Sequence, residues 1–368
     1  MAKNKQSTKN NLKIKIIIFV VICLLVGLSF IFTSQIEEFI NFKYAGEEAS
    51  TDIDNNGLVM HFIYVEQAEA ILVEFPNDKL MLVDTGENDD QSTGLLLNYL
   101  NNKVFANRSD KDIDYMLITH TDSDHVGGAK EVLEEFQVNK VFHPKISKEP
   151  TKTYQEFLTA MGNEPNSTNE FHSADSDFSE GGVAIEFLAP LYNSITNKKN
   201  NNQSPIMILT YAGKKIMLTG DAESDLEKDV LDQYPDFDFD IDVLSVGHHG
   251  SSTSSCADFL EATKPEYAVI SCGIDNKHGH PTQTVLDRLE QYGVKDNNLF
   301  RTDLNGNVVL SVSANGVLAI GTDNSTYTQV YIKWIYIAPG IVVISFAVLF
   351  APNLLKKNQN TKKSKKSK

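Results

Sequence analysis

The sequence predicts an α/β fold with its chemistry gathered along one edge, and three observations predict it. The apolar run Tyr115-Met116-Leu117-Ile118 stops at a loop in which His120, Asp122, Asp124 and His125 fall within six residues, followed by Gly127-Gly128. Three other short apolar runs stop in the same way, at Asp84, at Asp221 and at His248-His249. Between them, short β-branched runs alternate with stretches of helical spacing from about residue 58 to residue 320. In α/β folds the carboxyl ends of strands are where ligands usually bind. Imidazole nitrogen mixed with carboxylate oxygen suits zinc or manganese, whereas a calcium loop is carboxylate-rich and lacks paired imidazoles.

The elements follow in order. Residues 58–65, 70–75 and 80–83 are apolar runs parted by polar turns such as Pro76-Asn77-Asp78, which predicts an antiparallel meander ending at Asp84. Residues 95–100 and 126–136 have helical spacing, and Gly127-Gly128 lets the backbone come close at the start of the second. A strand over 138–142 ends in His143-Pro144. From 151 to 180 the pattern is poor, apart from helical spacing of Tyr154, Phe157, Leu158 and Met161, and a variable excursion is expected. A strand over 183–188 precedes the Asn-rich stretch 197–203, whose composition predicts a mobile loop. Residues 206–211 and 215–218 form a hairpin through Ala212-Gly213 that delivers Asp221. A helix over 222–234, a strand over 243–246 and the loop Gly247-His248-His249-Gly250-Ser251 come next. Then follow a short helix over 256–263, a strand over 267–271 ending at Cys272, and the loop carrying His278 and His280. A helix over 282–292 and strands near Phe300, over 308–312 and over 317–320, close the domain.

The 368 residues carry a formal charge of −16 that hides an asymmetry. Thirteen lysines lie in the two ends, and setting them aside leaves 20 basic against 49 acidic residues, a charge of −29 for the middle. Tight binding of long DNA is therefore not expected, because a protein that grips the phosphate backbone presents a basic surface. Residues 14–32 are apolar but for Lys15, Gly27 and Ser29, long enough to cross a bilayer, and offer no clear cleavage site. A second run over 332–350 is followed by seven lysines. Positive-inside logic puts both termini in the cytoplasm and the acidic middle outside it, at the cell membrane. The expected organisation is a basic tail 1–13, an anchor 14–32, a linker 33–55, a domain 56–322, a linker 323–331, a second transmembrane helix 332–350 and a basic tail 351–368. Three cysteines imply no disulfide framework, though a Cys256–Cys272 bridge stays open.

On residues 119–128, 218–223, 246–252, 265–272 and 278–281, with Arg301-Thr302-Asp303, the sequence resembles the metallo-β-lactamase superfamily, and within it the extracytoplasmic domain of ComEC-type competence proteins. The resemblance implies a four-layered αβ/βα sandwich, here flanked by one N-terminal and one C-terminal transmembrane helix, with two divalent metal ions, zinc or manganese, at one edge. It assigns His120 and Asp122 to the first metal, Asp124 and His125 to the second, Asp221 to the bridge, and His248 to completing the second. Asp122 stands where the superfamily usually has a second His, which moves the first site towards harder ions. Asp84 is expected to support a ligand, not to be one, and the first metal's third ligand has no match; His143 reads as a surface histidine. Asp124, His249 and His280 are the residues expected in catalysis, His249 with Ser251 as a substrate contact and His280 as the group that protonates a leaving oxygen. Cys272 is read as a packed thiol.

The function so implied is a membrane-tethered hydrolase of a phosphodiester, a nuclease related to DNA uptake without the pore, with short oligonucleotides, nucleotides or wall-polymer phosphodiesters as candidate substrates. Two alternatives stay open: an amide or lactone hydrolase, and a metal-holding sensor or scaffold without turnover.

Overall fold

The computed structural model describes residues 15–16, 18–23, 57–146, 149–190 and 199–322. The chain divides into a unit of residues 48–325 and a unit formed by 1–47 and 326–368. In the second unit residues 15–16 and 18–23 are helical. The rest of the 14–32 run, the 33–55 linker and the whole 332–350 run lie outside the described residues. Among the described residues no helix is long and apolar enough to cross a membrane.

The first unit is built on two sheets. One has eight strands in the order β15-β14-β1-β2-β3-β4-β5-β6, where β1 is Leu58–Phe62, β2 Ile71–Glu74, β3 Leu80–Val83, β4 Asp112–Leu117, β5 Gln137–His143, β6 Thr168–Phe171, β14 Val308–Val312 and β15 Leu318–Thr322. The other has seven in the order β13-β12-β11-β10-β9-β8-β7, with β7 Phe178–Glu180, β8 Val183–Phe187, β9 Met207–Tyr211, β10 Lys214–Leu218, β11 Val243–Ser245, β12 Tyr267–Ile270 and β13 Leu299–Arg301. The meander β1–β2–β3 is antiparallel as its turns predict, and β9–β10 is the expected hairpin. From β3 to β6, and again from β10 to β13, neighbours are parallel. Their carboxyl ends carry Asp84, the 119–125 loop, Asp221 and the His248-His249 loop.

Alternation along each strand explains the layering. Met81 and Val83 of β3 face the other sheet and pack with Ile216 and Leu218 of β10, while Leu80 and Leu82 face outward against Leu96 and Val132. Both faces of the central strands are buried, so they read as continuous apolar runs and not as alternating ones. Helices α1 (Asp90–Tyr99), α2 (Ser123–Val126), α3 (Ala129–Glu135) and α4 (Lys152–Asn163) follow strands of the first sheet, with α1, α3 and α4 packed on its outer face. Helices α5 (Ser224–Gln233), α6 (Ala257–Thr263) and α7 (Gln283–Gln291) cover the second. The result is a helix–sheet–sheet–helix sandwich. Truncating a ring at its centre, such as Phe142→Ala, costs about 3–5 kcal/mol.

Two expectations change. The stretch 151–180 holds an ordered helix, α4, capped by the Thr151 side chain on the Tyr154 amide, and two edge strands, β6 and β7. Every residue of β6 is exposed, so no alternation marked it in the sequence. Of the Asn-rich stretch, the described residues run inward from exposed Lys199 through half-buried Asn200 and Asn201 to buried Asn202 and Gln203. Cys256 and Cys272 are both buried and both free.

Candidate metal centre

The centre is assembled around Asp221, presented just beyond β10. Its Oδ1 lies 3.1 Å from His125 Nε2 and 3.7 Å from His249 Nε2, and its Oδ2 lies 3.8 Å from His120 Nε2 and 3.5 Å from His248 Nε2. Asp124 Oδ2 stands 3.5 Å from His249 Nε2, and Asp122 Oδ2 stands 3.7 Å from His120 Nε2. One carboxylate thus divides the donors into two sets. His120 and His248 approach its Oδ2, with Asp122 beside His120, and His125 and His249 approach its Oδ1, with Asp124 beside His249; donor atoms of His120, His125 and Asp221 also lie within 4.8 Å of one another.

The sequence places His248 with the second metal and His249 at a substrate contact; in the structure His248 Nε2 lies beside Asp221 Oδ2, and His249 Nε2 beside Asp124 and Asp221 Oδ1. The physical reason is backbone. Both residues adopt left-handed conformations, φ 53° with ψ 45° and φ 53° with ψ 25°, so consecutive side chains fan to opposite sides of Asp221. Residues with a Cβ hold such angles at a cost of about 1–3 kcal/mol each.

Hydrogen bonds on the far side of each ring fix its tautomer. The Thr119 hydroxyl donates to Asp84 Oδ2 at 2.6 Å, which leaves its lone pairs to accept from His120 Nδ1–H at 3.1 Å. His125 Nδ1–H donates to Asp84 Oδ2 at 2.6 Å, and His249 Nδ1–H donates to the Ser271 carbonyl at 2.9 Å. Asp84 therefore does what the sequence reading expects of it: fully buried, it takes the Thr119 amide on Oδ1 at 2.8 Å and orients a neighbour's imidazole. The Gly127 contact is also real, since a Cβ there would stand 2.1 Å from the Asn88 amide nitrogen.

With the Nδ1 atoms occupied, the Nε2 atoms of His120, His125 and His249, and Asp221 Oδ1, are buried and without a hydrogen-bond partner among the described residues. Four such atoms converging on one spot is a costly arrangement for a folded chain unless something is bound there. Ligands about 2.1 Å from one ion sit about 3.4 Å apart in a tetrahedron, in keeping with the 3.1–3.8 Å separations here. The residues fit a divalent metal centre. The carboxylates make the pocket favourable to a cation: burial opposes charge on His249, yet Asp221 and Asp124 outweigh it and raise its pKa to about 9. Burial likewise opposes charge on Asp221, but His125 and His249 hold its carboxyl well below the usual range.

Two residues stand apart. His143 is buried, bonded through Nδ1 to the Tyr154 hydroxyl at 3.0 Å, so it is neither the surface histidine expected nor a donor to the centre. His280 lies at the rim, its ring 5.7 Å from that of His248. Burial and the neighbouring His248, His249 and His278 lower its pKa to about 4, so at neutral pH it is not the imidazolium that a ready proton donor requires. Glu69 was missed. Its buried carboxyl lies beside Asp84 and His125, raised to about 7 by burial, with Asp84 and Asp221 adding to the rise. The signal was an acid between two alanines at the start of an apolar run, Ala68-Glu69-Ala70-Ile71.

Fold and centre together define a metal-dependent hydrolase fold, and residues 63–274 match the family model of the metallo-β-lactamase superfamily, to which the chain belongs. It is similar to the Competence protein ComA of Neisseria gonorrhoeae, 32% identical over 254 residues that cover 69% of this chain and 32% of that protein. It is similar also to ComE operon protein 3 of Bacillus subtilis, 32% identical over 199 residues that cover 54% of this chain and 24% of that protein. The chain thus spans about a third or less of the length of these relatives. Among solved structures, the metallo-beta-lactamase fold protein YhfI of Bacillus subtilis aligns at 12% identity and a TM-score of 0.43, over 72% of this chain and 100% of that one.

Proposed function

We propose that the chain is a membrane-tethered hydrolase that uses two divalent ions to cleave a phosphodiester. The observation that carries the reading is the position of Asp221, one oxygen turned to each donor set, with unpartnered Nε2 atoms on both sides. His120, Asp122 and His248 would hold the first ion, Asp124, His125 and His249 the second, and Asp221 both. Bound there, the ions lower the pKa of a water towards neutrality and offset the charge that grows on a phosphoryl oxygen.

The chain's own residues do the rest. Asp84, Thr119 and the Ser271 carbonyl hold three imidazoles with Nε2 forward, so that little reorganisation is needed when ions bind. His280, neutral and at the rim, serves as a hydrogen-bond donor to a substrate oxygen. Kinship with competence proteins supports a nucleotide or oligonucleotide phosphodiester as substrate. The middle charge of −29 favours short substrates over long DNA. Tethering is supported by the apolar runs 14–32 and 332–350 with their lysine flanks, and by Ile18, Val20 and Val21, each about half exposed in the described helix. Both termini then lie in the cytoplasm and the catalytic unit outside it.

The test is metal content and turnover of the full chain. Two ions per chain with hydrolysis of a generic phosphodiester, and none of a cephalosporin or a lactone, is the expected result. Turnover of the lactone or cephalosporin alone would make it an amide or lactone hydrolase, and bound metal with no turnover of any would favour a sensor.

A further inference from the structure

The segment 199–204, which leads into β9, lies against the first donor set and the shared Asp221. Asn200 Nδ2 is 3.4 Å from Asp122 Oδ1, and Asn201 Nδ2 is 3.5 Å from His248 Nδ1. Ser204, fully buried, accepts the Asp221 amide on Oγ at 3.0 Å, and the same oxygen lies 3.3 Å from His120 Nδ1. Among the described residues the segment makes no hydrogen bond to the Asp124, His125 or His249 side chains. Room for it is left by Gly220 at φ +47°, where a Cβ would meet Ser204 at 3.0 Å and Thr119 at 3.1 Å.

One residue fastens the segment. Glu223, two places after Asp221, accepts from Lys199 Nζ on Oε2 at 2.7 Å and from Asn201 Nδ2 on Oε1 at 3.1 Å. Its backbone N–H donates to Asn202 Oδ1 at 2.9 Å. Asn202 is fully buried with Oδ1 paired to that amide, while its Nδ2 and Gln203 Oε1 are buried without a hydrogen-bond partner among the described residues, each at a cost of about 1–3 kcal/mol. The half-buried Asn200 and Asn201 find their partners in the first donor set and Glu223.

We propose that residues 199–204 are a strap that sets the metal affinity of the first donor set, with Glu223 as the positioning residue that latches it. The inference rests on the two-metal reading. Each set offers two imidazoles and one carboxylate beside Asp221, so what separates them is the strap: Asn200 donates an amide N–H to Asp122 Oδ1 at 3.4 Å and Ser204 Oγ lies 3.3 Å from His120 Nδ1, orienting two donors of the first set.

The experiment titrates the metal-free full chain with Mn²⁺ and with Zn²⁺ by calorimetry, and with Co²⁺ by absorption, alongside the melting temperature of each metal-free variant. The wild type should show two classes of site. Asn200→Ala and Glu223→Ala should weaken Mn²⁺ about 10–100-fold in one class and leave the other unchanged, with altered cobalt bands for that class alone. Glu223→Gln, which keeps an acceptor for Asn201, should recover part of the loss. Asn200→Asp adds a charge beside Asp122 and should move the same class in the opposite direction, so the test stands even if Glu223→Ala does not fold. Equal weakening of both classes, or of neither, overturns the strap while two ions still bind. A wild type with a single class overturns the two-metal reading, and the strap with it.

Discussion

At the end of the sandwich opposite the metal centre, the β2–β3 turn meets strand β7 and brings together charged groups of its own. There Glu180 accepts from Lys79 Nζ at 2.8 Å, from the Tyr115 hydroxyl at 2.6 Å and from Asn77 Nδ2 at 2.6 Å. Arg108 donates to Glu74 at 2.8 Å and to the Asp78 carbonyl at 2.6 Å, and His61 meets the other Glu74 oxygen at 2.8 Å. These groups find one another. At the carboxyl end, by contrast, imidazoles and carboxylates come within 3.1–3.8 Å yet leave Nε2 of three histidines and Asp221 Oδ1 unpartnered, and the backbone holds His248, His249 and Asp84 at positive φ to keep them there. Charge density alone therefore says little about function; polar groups left open at a shared point say much more.

Asp221→Ala breaks the comparison most severely, because it removes the group common to both donor sets. Bound metal should fall from two ions to none that survive gel filtration, and turnover should vanish with it. Metal content by atomic emission checks this, and full occupancy in the variant would exclude Asp221 as the bridge. His280→Ala touches the rim without touching the ions. A neutral donor lost should slow good and poor leaving groups alike, by about 10²-fold, with metal retained. A loss confined to poor leaving groups would instead restore the proton-donor role that the sequence suggested.

How much of this was legible in the sequence follows from the same contrast. Strand ends at Asp84, the 119–125 loop and Asp221 could be read because continuous apolar runs stop there, and burial on both faces of a parallel strand writes such runs directly. The division of labour between His248 and His249 could not be read, since it depends on two successive left-handed residues, which leave no periodic trace. The inward turn of the Asn-rich segment was hidden for a different reason. Asparagines usually mark exposed loops, and the Glu223 and Asp122 partners that draw Asn201 and Asn200 towards the centre are brought there only by the fold. Edge strand β6, exposed throughout, had no pattern to show.

Asp84 sharpens the comparison within the centre. It touches His125 directly and His120 only through the Thr119 hydroxyl, so Asp84→Ala should lower affinity about 10–100-fold in the second set and less in the first. It should also destabilise the metal-free protein by about 1–3 kcal/mol, since a buried Thr119 amide and the His125 Nδ1–H lose their acceptor. Calorimetric titration beside thermal melts separates the two effects, and an unchanged second class would remove Asp84 from the centre.

The smallest effect belongs to the opposite end, and it tests whether paired charges there are structural only. Burial works against the charge on Glu180, but Lys79, Tyr115 and Asn77 donate to it and hold its pKa down to about 2, from an ordinary value of 4.5. A carboxyl whose folded pKa is depressed adds stability that is present above its unfolded pKa and lost as pH falls through the folded value. Glu180→Gln should therefore cost about 1 kcal/mol near neutral pH, and the gap from wild type should close as pH falls from 4.5 towards 2. Melting curves of the metal-free proteins across that range check the sign. Metal content and affinity should be identical in the two proteins. A gap that stays constant with pH would mean that the Glu180 charge adds nothing, and a change in metal affinity would mean that the two ends of the sandwich are coupled through its core.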